Sequence, residues 1–357
     1  MPPNPAKKPK PNISDVARAA GVSIATVSYV INKSHFVSDE VAQKVHQAID
    51  ELGYIPSSLA RGLANKQSKI IGVIFSDISN PFFTSIYMGI ESVLSEEGYE
   101  LILINTGEVH EKQELALKTM LSRQIDGLII APTGKKSRML NHIVDSGIPV
   151  VLIDRETPLN KASLIDIDNT LAAFEAVSHL IQDGYHRIGA ILGLTDLSTT
   201  RNRLEGYKKA LHSNSIPYCQ DYVIYGKSNL QGGYIAVKKL LSLPQPPRAI
   251  FTANNLMTIG ALRAFRELGI RCPAEIGIFG FDDIELGDII EPPLSTVWQP
   301  TFEIGVRAAK VLLDNTKAIN IIHEQLKASL IIRGSCSINC YQRYINENQH
   351  STPSLVV

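Results

Sequence analysis

Long apolar runs are missing from this chain. No stretch approaches the roughly 18–20 consecutive apolar residues that a membrane-crossing helix needs, although 44% of the 357 residues are hydrophobic. Lys7, Lys8 and Lys10 near the N-terminus are followed by no apolar segment, so they do not begin a secretory signal. A cytoplasmic protein without a membrane partner is expected. Cysteine is scarce as well. Cys219, Cys272, Cys336 and Cys340 form no CxxC pair, and no His or Cys cluster lies near enough in sequence to suggest a zinc site. Free thiols in a reducing compartment are expected, with no metal and no cofactor. There is no G-x-G-x-x-G after the first strand-like run, no P-loop and no nucleophile elbow. Asp282-Asp283 and the scattered histidines make no evident catalytic set, so an enzyme is not expected.

Net charge is also absent, since 35 basic residues balance 35 acidic ones. The distribution is more informative. Residues 1–66 hold eight Lys/Arg and five Asp/Glu, a net of +3 that the remainder must offset. A basic module on a mildly acidic body suits a phosphate-binding head, because Lys and Arg displace DNA counterions.

The length accommodates two or three domains. Residues 1–11 are rich in Pro and Lys and are expected to be disordered. A compact helical segment follows. Asn12 is placed to cap a helix through Ala20, with Asp15 in the first turn favoured by the helix dipole. Gly21 breaks the pattern, Ser23 caps a second helix to about Ile31, and Ser38 caps a third. That third helix carries Val41, Val45, Ile49 and Leu52 at three- and four-residue spacing. Residues 57–64 read as a short helix too brief to be stable alone in water.

After Lys69 the rhythm changes to strand-like runs alternating with helical patterns. Strands are expected at 70–75, 100–104, 127–131 and 149–153, with helices at 81–97, 111–123 and 137–146. A second series places helices at 170–183, 200–212, 230–241, 256–268 and 302–314, and strands at 187–192, 249–252, 275–279 and 294–298. Such alternation predicts parallel sheets covered on both faces. Two similar α/β lobes with a ligand cleft between them are expected, because ligands bind beyond the carboxyl ends of such strands.

The strongest signal is the stretch DVARAAGVSIATVSYVIN, two short helices around a Gly-Val-Ser turn. Val27 and Val30 face inward, which leaves Ile24, Ala25, Thr26, Ser28 and Tyr29 available outward. In a helix-turn-helix the second helix enters the major groove. With "VSDE…V" and "ELGYIPSSLARGLA", this stretch resembles the LacI/GalR family of bacterial repressors, and the resemblance continues to about Ser335. It implies an all-α helix-turn-helix head at 12–56, a hinge helix and linker at 57–68, and a two-lobed α/β core with parallel sheets at 69–335. That core is periplasmic-binding-protein-like, and a tail follows at 336–357.

The resemblance also implies roles. Ile24, Ala25 and Tyr29 would read bases, Ser23, Thr26 and Ser28 would contact the DNA backbone, and Asn32 belongs to the same reading helix. Leu63 from each of two subunits would wedge into the minor groove of a palindromic operator, unstacking a base step. In the core, Asp77, Phe82, Phe83, Thr133 and Arg155 would border the cleft from one lobe. Arg203, Asn254 and Asp282 would do so from the other, with Gln299 at a crossover. Carboxylates accept paired hydroxyls, Arg donates a planar fork, and aromatics cover an apolar sugar face. Where relatives place an aromatic just after the glycine corresponding to Gly226, Lys227 and Ser228 follow here, which argues against a purine. Arg155 and Arg203 together would suit a carboxylate.

A double-stranded operator, a sugar or sugar-acid effector and a homodimer are therefore expected, the last because one head reads only a half-site. Alternatives of other classes are a regulator driven by a protein partner, and a solute-binding protein, which would need a signal peptide and no reading head.

Overall fold

The computed structural model describes residues 11–32, 35–54, 68–159 and 161–349. They fall into two compact units, a head ending at Lys69 and a body beginning at Ile70. Residues 57–64, the expected hinge helix with Leu63, lie outside the described residues.

Among the described residues the head contains three helices, α1 (Ile13–Ala20), α2 (Ile24–Asn32) and α3 (Asp39–Leu52). Asn12 caps α1 by accepting from the amides of Ser14 and Asp15, while the Asp15 carboxylate accepts from the Asn12 amide. Gly21 ends α1 at φ 68°, a left-handed conformation that glycine adopts without a Cβ penalty. Ser23 opens α2, its Oγ accepting from the Thr26 amide at 3.0 Å. Ser38 stands at the N-cap of α3 but its side chain makes no capping bond, unlike the expectation. Val16, Ala17, Val27, Val30, Val45 and Ala48 form the core of this unit.

Among the described residues the body contains two six-stranded sheets. The first is built from β1 (Ile70–Phe75), β2 (Glu100–Asn105), β3 (Gly127–Ile130), β4 (Val150–Ile153), β5 (Ser163–Ile167) and β11 (His323–Leu326), in the order β11-β5-β4-β3-β1-β2. The second is built from β6 (Ile188–Leu192), β7 (Val223–Tyr225), β8 (Ala249–Thr252), β9 (Gly277–Phe281), β10 (Thr296–Trp298) and β12 (Ser329–Ile331), in the order β12-β10-β9-β8-β6-β7. The inner strands β1, β3 and β4 are buried throughout, as are β6, β8 and β9. That explains their unbroken Ile/Val/Leu/Phe runs. In both sheets the order in which the chain adds parallel strands reverses at one gap, between β1 and β3 and between β6 and β8, which places a ligand crevice outside their carboxyl ends.

Helices cover both lobes. In the first lie α4 (Pro81–Leu94), α5 (His110–Ser122), α6 (Arg138–Asp145) and α11 (Thr301–Lys317). In the second lie α7 (Asn169–Gln182), α8 (Ser198–Ser213), α9 (Leu230–Leu241) and α10 (Asn255–Leu268). The chain passes between the lobes after β5, after β10 and after β11. Gln299 sits at the second passage, where the sequence placed it.

Several short elements were not legible in advance: β5, β7, β11, β12 and a last helix, α12 (Ile338–Gln349). The strand β12 also pairs antiparallel with β10, so the second sheet is not wholly parallel. Part of the expected tail, 336–357, is ordered as α12. Cys336 and Cys340 are buried, and Cys340 Sγ lies 3.3 Å from Asp183 Oδ2, so this segment packs on the body.

Helices α4 and α11 approach at two glycines. A Cβ at Gly89 would lie 2.1 Å from the Phe302 carbonyl oxygen, and one at Gly305 would lie 2.1 Å from that of Ile86. Since backbone cannot yield as a flexible side chain does, Gly305→Ala should cost about 3 kcal/mol, the upper end for overpacking. A denaturant midpoint equal to that of the parent chain would contradict this packing.

Candidate functional site

The crevice between the two sheets holds a cavity of about 200 Å³. This is smaller than the roughly 300–1,000 Å³ of drug-sized pockets and suits a compact ligand. Strand ends supply most of its wall: Ser76 and Asp77 after β1, Asp154 and Arg155 after β4, Gly193 after β6, Ala253 and Asn254 after β8, and Asp282 after β9. Of the nine residues expected at the cleft, Asp77, Phe82, Phe83, Arg155, Arg203, Asn254 and Asp282 line this cavity. Thr133 and Gln299 do not. Thr133 is buried behind the wall, its amide donating to Gln113 Oε1 at 2.8 Å. Gln299 is buried beneath Asp282 and donates to its Oδ1.

The backbone here is unusual. Glu108, Asp154, Lys227, Ser228 and Asp282 all have φ between 55° and 68°, and all five line the cavity. Left-handed non-glycine residues are uncommon and concentrate at functional sites. At Asp154 and Asp282 the turn brings a carboxylate from corresponding strand ends of the two lobes into one crevice.

Arg155 is buried and fully engaged. Its Nε donates to Asp154 Oδ2 at 2.9 Å, and its two terminal nitrogens donate to the two Glu108 carboxylate oxygens at 2.8 Å each. Pro132 O at 3.3 Å and Ser76 Oγ at 3.4 Å take the remaining donors. A guanidinium has five N–H groups, so none is left for a ligand. The expected carboxylate clamp of Arg155 and Arg203 therefore fails at Arg155, which instead positions Glu108 and Asp154. Burial would push the Glu108 carboxyl up, but the Arg155 guanidinium beside it holds it below the usual range. Burial likewise acts to lower Arg155, and the two carboxylates more than offset it.

Arg203 differs. It donates from Nε to Asn169 Oδ1 at 2.8 Å and from Nη1 to the Ala253 carbonyl, and its guanidinium carbon lies 3.6 Å from the Phe281 ring centroid. Nη2 has no protein hydrogen bond among the described residues. Burial lowers its pKa, with Asp282 opposing. The Asp282 carboxyl is pushed up by burial against the pull of Arg203 and the Gln299 hydrogen bond. Arg203 and Asp282 are thus buried polar groups with capacity facing the cavity. The aromatic wall is Phe82 edge-on to Phe83, with ring centroids 5.0 Å apart.

Sequence reasoning missed Glu108, Asp154 and Asn80. The first two carry no local motif; only the fold brings them to Arg155. Asn80 and Asn255 form a reciprocal amide pair across the crevice, at 3.1 and 2.7 Å. In the head, Ser23, Ile24, Ala25 and Tyr29 are exposed, with Ile24 at 50%. Thr26 and Ser28 are half-buried, and Ser23 Oγ lies 2.8 Å from Thr26 Oγ1. The Asn32 side chain lies outside what the structure describes.

A helix-turn-helix head and a two-lobed body with a polar crevice define a ligand-responsive DNA-binding protein. Residues 12–57 match the model of bacterial regulatory proteins of the lacI family. Residues 68–332 match that of periplasmic binding proteins and the sugar-binding domain of the LacI family. The ribose operon repressor of Escherichia coli (strain K12) is 36% identical over 327 residues, covering 90% of this chain and 99% of that protein. The HTH-type transcriptional repressor PurR of Vibrio atlanticus (strain LGP32) is 35% identical over 308 residues, covering 85% of this chain and 92% of that protein. The crystal structure of the Lac repressor dimer bound to operator and the anti-inducer ONPF superposes with a TM-score of 0.79 at 29% identity, covering 92% of this chain and all of that one.

The chain belongs to the LacI family. It is a DNA-binding transcriptional regulator controlled by a small-molecule effector, and not an enzyme. No helix among the described residues is long and apolar enough to cross a membrane.

Glu108→Gln leaves Arg155 buried with one carboxylate instead of two. Breaking a buried pair costs about 3–5 kcal/mol, and the remaining Asp154 should hold the loss to the lower end. The folded pKa of Glu108 is depressed. Its stabilisation is therefore present above the ordinary carboxylate range and fades as pH falls through the depressed value. Urea denaturation at neutral pH should separate parent and variant, and the gap should close in strong acid. A gap that is constant with pH would contradict the charge pairing.

Proposed function

We propose that this protein is a homodimeric repressor acting in the cytoplasm on a palindromic operator, with a neutral sugar as its effector. The observation that carries the effector class is the charge in the crevice. Four carboxylates, Asp77, Glu108, Asp154 and Asp282, face three cations, Arg155, Arg203 and Lys227. Arg155 is saturated, and Lys227 is exposed to solvent. A ligand carboxylate would enter an acidic wall with one buried guanidinium to receive it. A polyhydroxyl ligand would donate to Asp282 and Asp77, accept from Arg203 and Asn254, and lay an apolar face on Phe82. The ribose operon repressor among the relatives fits that chemistry, and makes ribose the first sugar to try.

In the head, Ile24, Ala25 and Tyr29 would meet base edges, Ile24 and Ala25 by apolar contact suited to a thymine methyl. Ser23, Thr26, Ser28 and Asn32 would hold the DNA backbone. Residues 57–68 would form the hinge and linker, with Leu63 as the minor-groove wedge. The effector acts on DNA only through different affinities for two states of the body, and the coupling is reciprocal.

The test begins with an operator selected from random duplexes and fluorescence anisotropy with and without ribose and other neutral pentoses and hexoses. A change in operator affinity of roughly 5–150-fold is expected for one of them. Tyr29→Ala should weaken the selected operator by about 1–3 kcal/mol while leaving non-specific binding unchanged. Arg203→Ala and Asp282→Ala should keep operator binding and lose the sugar response. If no sugar alters operator affinity while a protein partner does, the sugar reading is wrong.

A further inference from the structure

We propose that His179, Asp183, Cys336 and Cys340 form a zinc site that ties the C-terminal helix α12 to helix α7. His179 and Asp183 are four residues apart at the end of α7, so they share a face. Cys336 and Cys340 lie 157 positions downstream of His179 and Asp183 respectively, at the start of the last helix. All four cysteines are free, but the fold brings Cys336 and Cys340 together with His179 and Asp183, which are far away in sequence.

The four donor atoms lie within 4.8 Å of one another. His179 Nε2 is 3.4 Å from Cys336 Sγ, 3.6 Å from Cys340 Sγ and 3.3 Å from Asp183 Oδ2. Cys340 Sγ is 3.3 Å from Asp183 Oδ2. Zinc bonds of about 2.3 Å to sulfur and 2.0–2.2 Å to nitrogen and oxygen imply tetrahedral edges of about 3.3–3.8 Å between donors. All four separations fall within or next to that range. A single imidazole N–H donates to one acceptor, whereas three groups converge on this nitrogen at nearly equal distance. A central cation accounts for that convergence.

The donor set selects the metal. Two thiolates, an imidazole and a carboxylate suit zinc in a closed structural site, and exclude a hard oxygen-seeking cation such as magnesium. The surroundings are those of a supported site. Both sulfurs are buried. Ser295 Oγ donates to Cys336 Sγ at 3.2 Å, a contact that would steady a thiolate. His179 packs edge-on to Phe279, with centroids 5.7 Å apart.

The site lies at the far end of α7 from the crevice. Asn169, the first residue of that helix, holds Arg203, and the rise along the helix from there to His179 is about 15 Å. The metal therefore braces the second lobe and takes no part in effector contact. This assignment is independent of the effector reading.

The full chain, expressed with zinc, freed of any affinity tag and dialysed against metal-free buffer, should retain one zinc per chain by elemental mass spectrometry. Cobalt(II) added to the apo-protein should give a thiolate-to-cobalt charge-transfer band and the strong visible absorption of tetrahedral cobalt, both lost on adding zinc. Cys340→Ser and Cys336→Ser should lose both the bound zinc and the band, whereas Cys219→Ser should keep them. If the variants fail to fold, the cobalt spectrum of the parent chain decides alone. A parent chain that retains no zinc and gives no thiolate band would overturn the proposal. So would an intact Cys336–Cys340 disulfide in protein purified with zinc present, which would assign the pair to redox chemistry.

Discussion

Removing a guanidinium from water costs several kcal/mol even after the protein relaxes, and Arg155 is buried in the floor of the crevice. That cost is offset because two carboxylates and two further oxygens reach all five of its donors. The loops after β2 and β4 take left-handed backbone at Glu108 and Asp154 to deliver those carboxylates. Each such turn costs on the order of 1 kcal/mol or more, and the ion cluster holds it in place. Once Arg155 is satisfied within the protein, Arg203 and Asp282 in the opposite lobe are left as the buried charges that still face the cavity. The division of labour between the two arginines follows from their partners.

Contacts within the first lobe and contacts between the lobes differ in kind. Inside the first lobe, helices α4 and α11 meet backbone to backbone at Gly89 and Gly305, a contact with no room for adjustment. Across the crevice, Asn80 and Asn255 exchange two amide hydrogen bonds. Such bonds contribute about 0.5–1.5 kcal/mol each on balance, small enough to break and re-form as the lobes move. A lobe that is rigid inside and joined across the crevice by a weak polar latch suits a ligand-driven shift between two states.

Much of this was readable along the chain. The helix-turn-helix shows itself because its spacing, cap and turn residues are local: Asn12, Gly21 and Ser23 all act on neighbours within a few positions. Buried strands were legible as unbroken apolar runs, and β1, β8 and α9 have the expected bounds. Edge strands were not. The residues of β11, His323–Leu326, alternate exposed and half-buried, so they carry no apolar run. Seven of nine expected cleft residues line the cavity, since strand ends follow from strand positions. Their roles were less legible. Arg155 appeared free to hold a ligand because Glu108, 47 positions away, carries no mark in sequence of its partner. The cysteine cluster was hidden for the same reason, with its halves 157 positions apart. Long-range pairing leaves no local period to read.

The central claim is that the crevice, with its one responsive arginine among four carboxylates, selects a neutral polyhydroxyl ligand. The most direct measurement is titration calorimetry of the intact protein with a matched pair, ribose and the aldonic acid of the same carbon skeleton, at neutral pH. The account predicts that the neutral sugar binds more tightly, and that Asp282→Asn narrows the difference by removing negative charge. An aldonic acid that binds more tightly than its neutral counterpart would contradict the account.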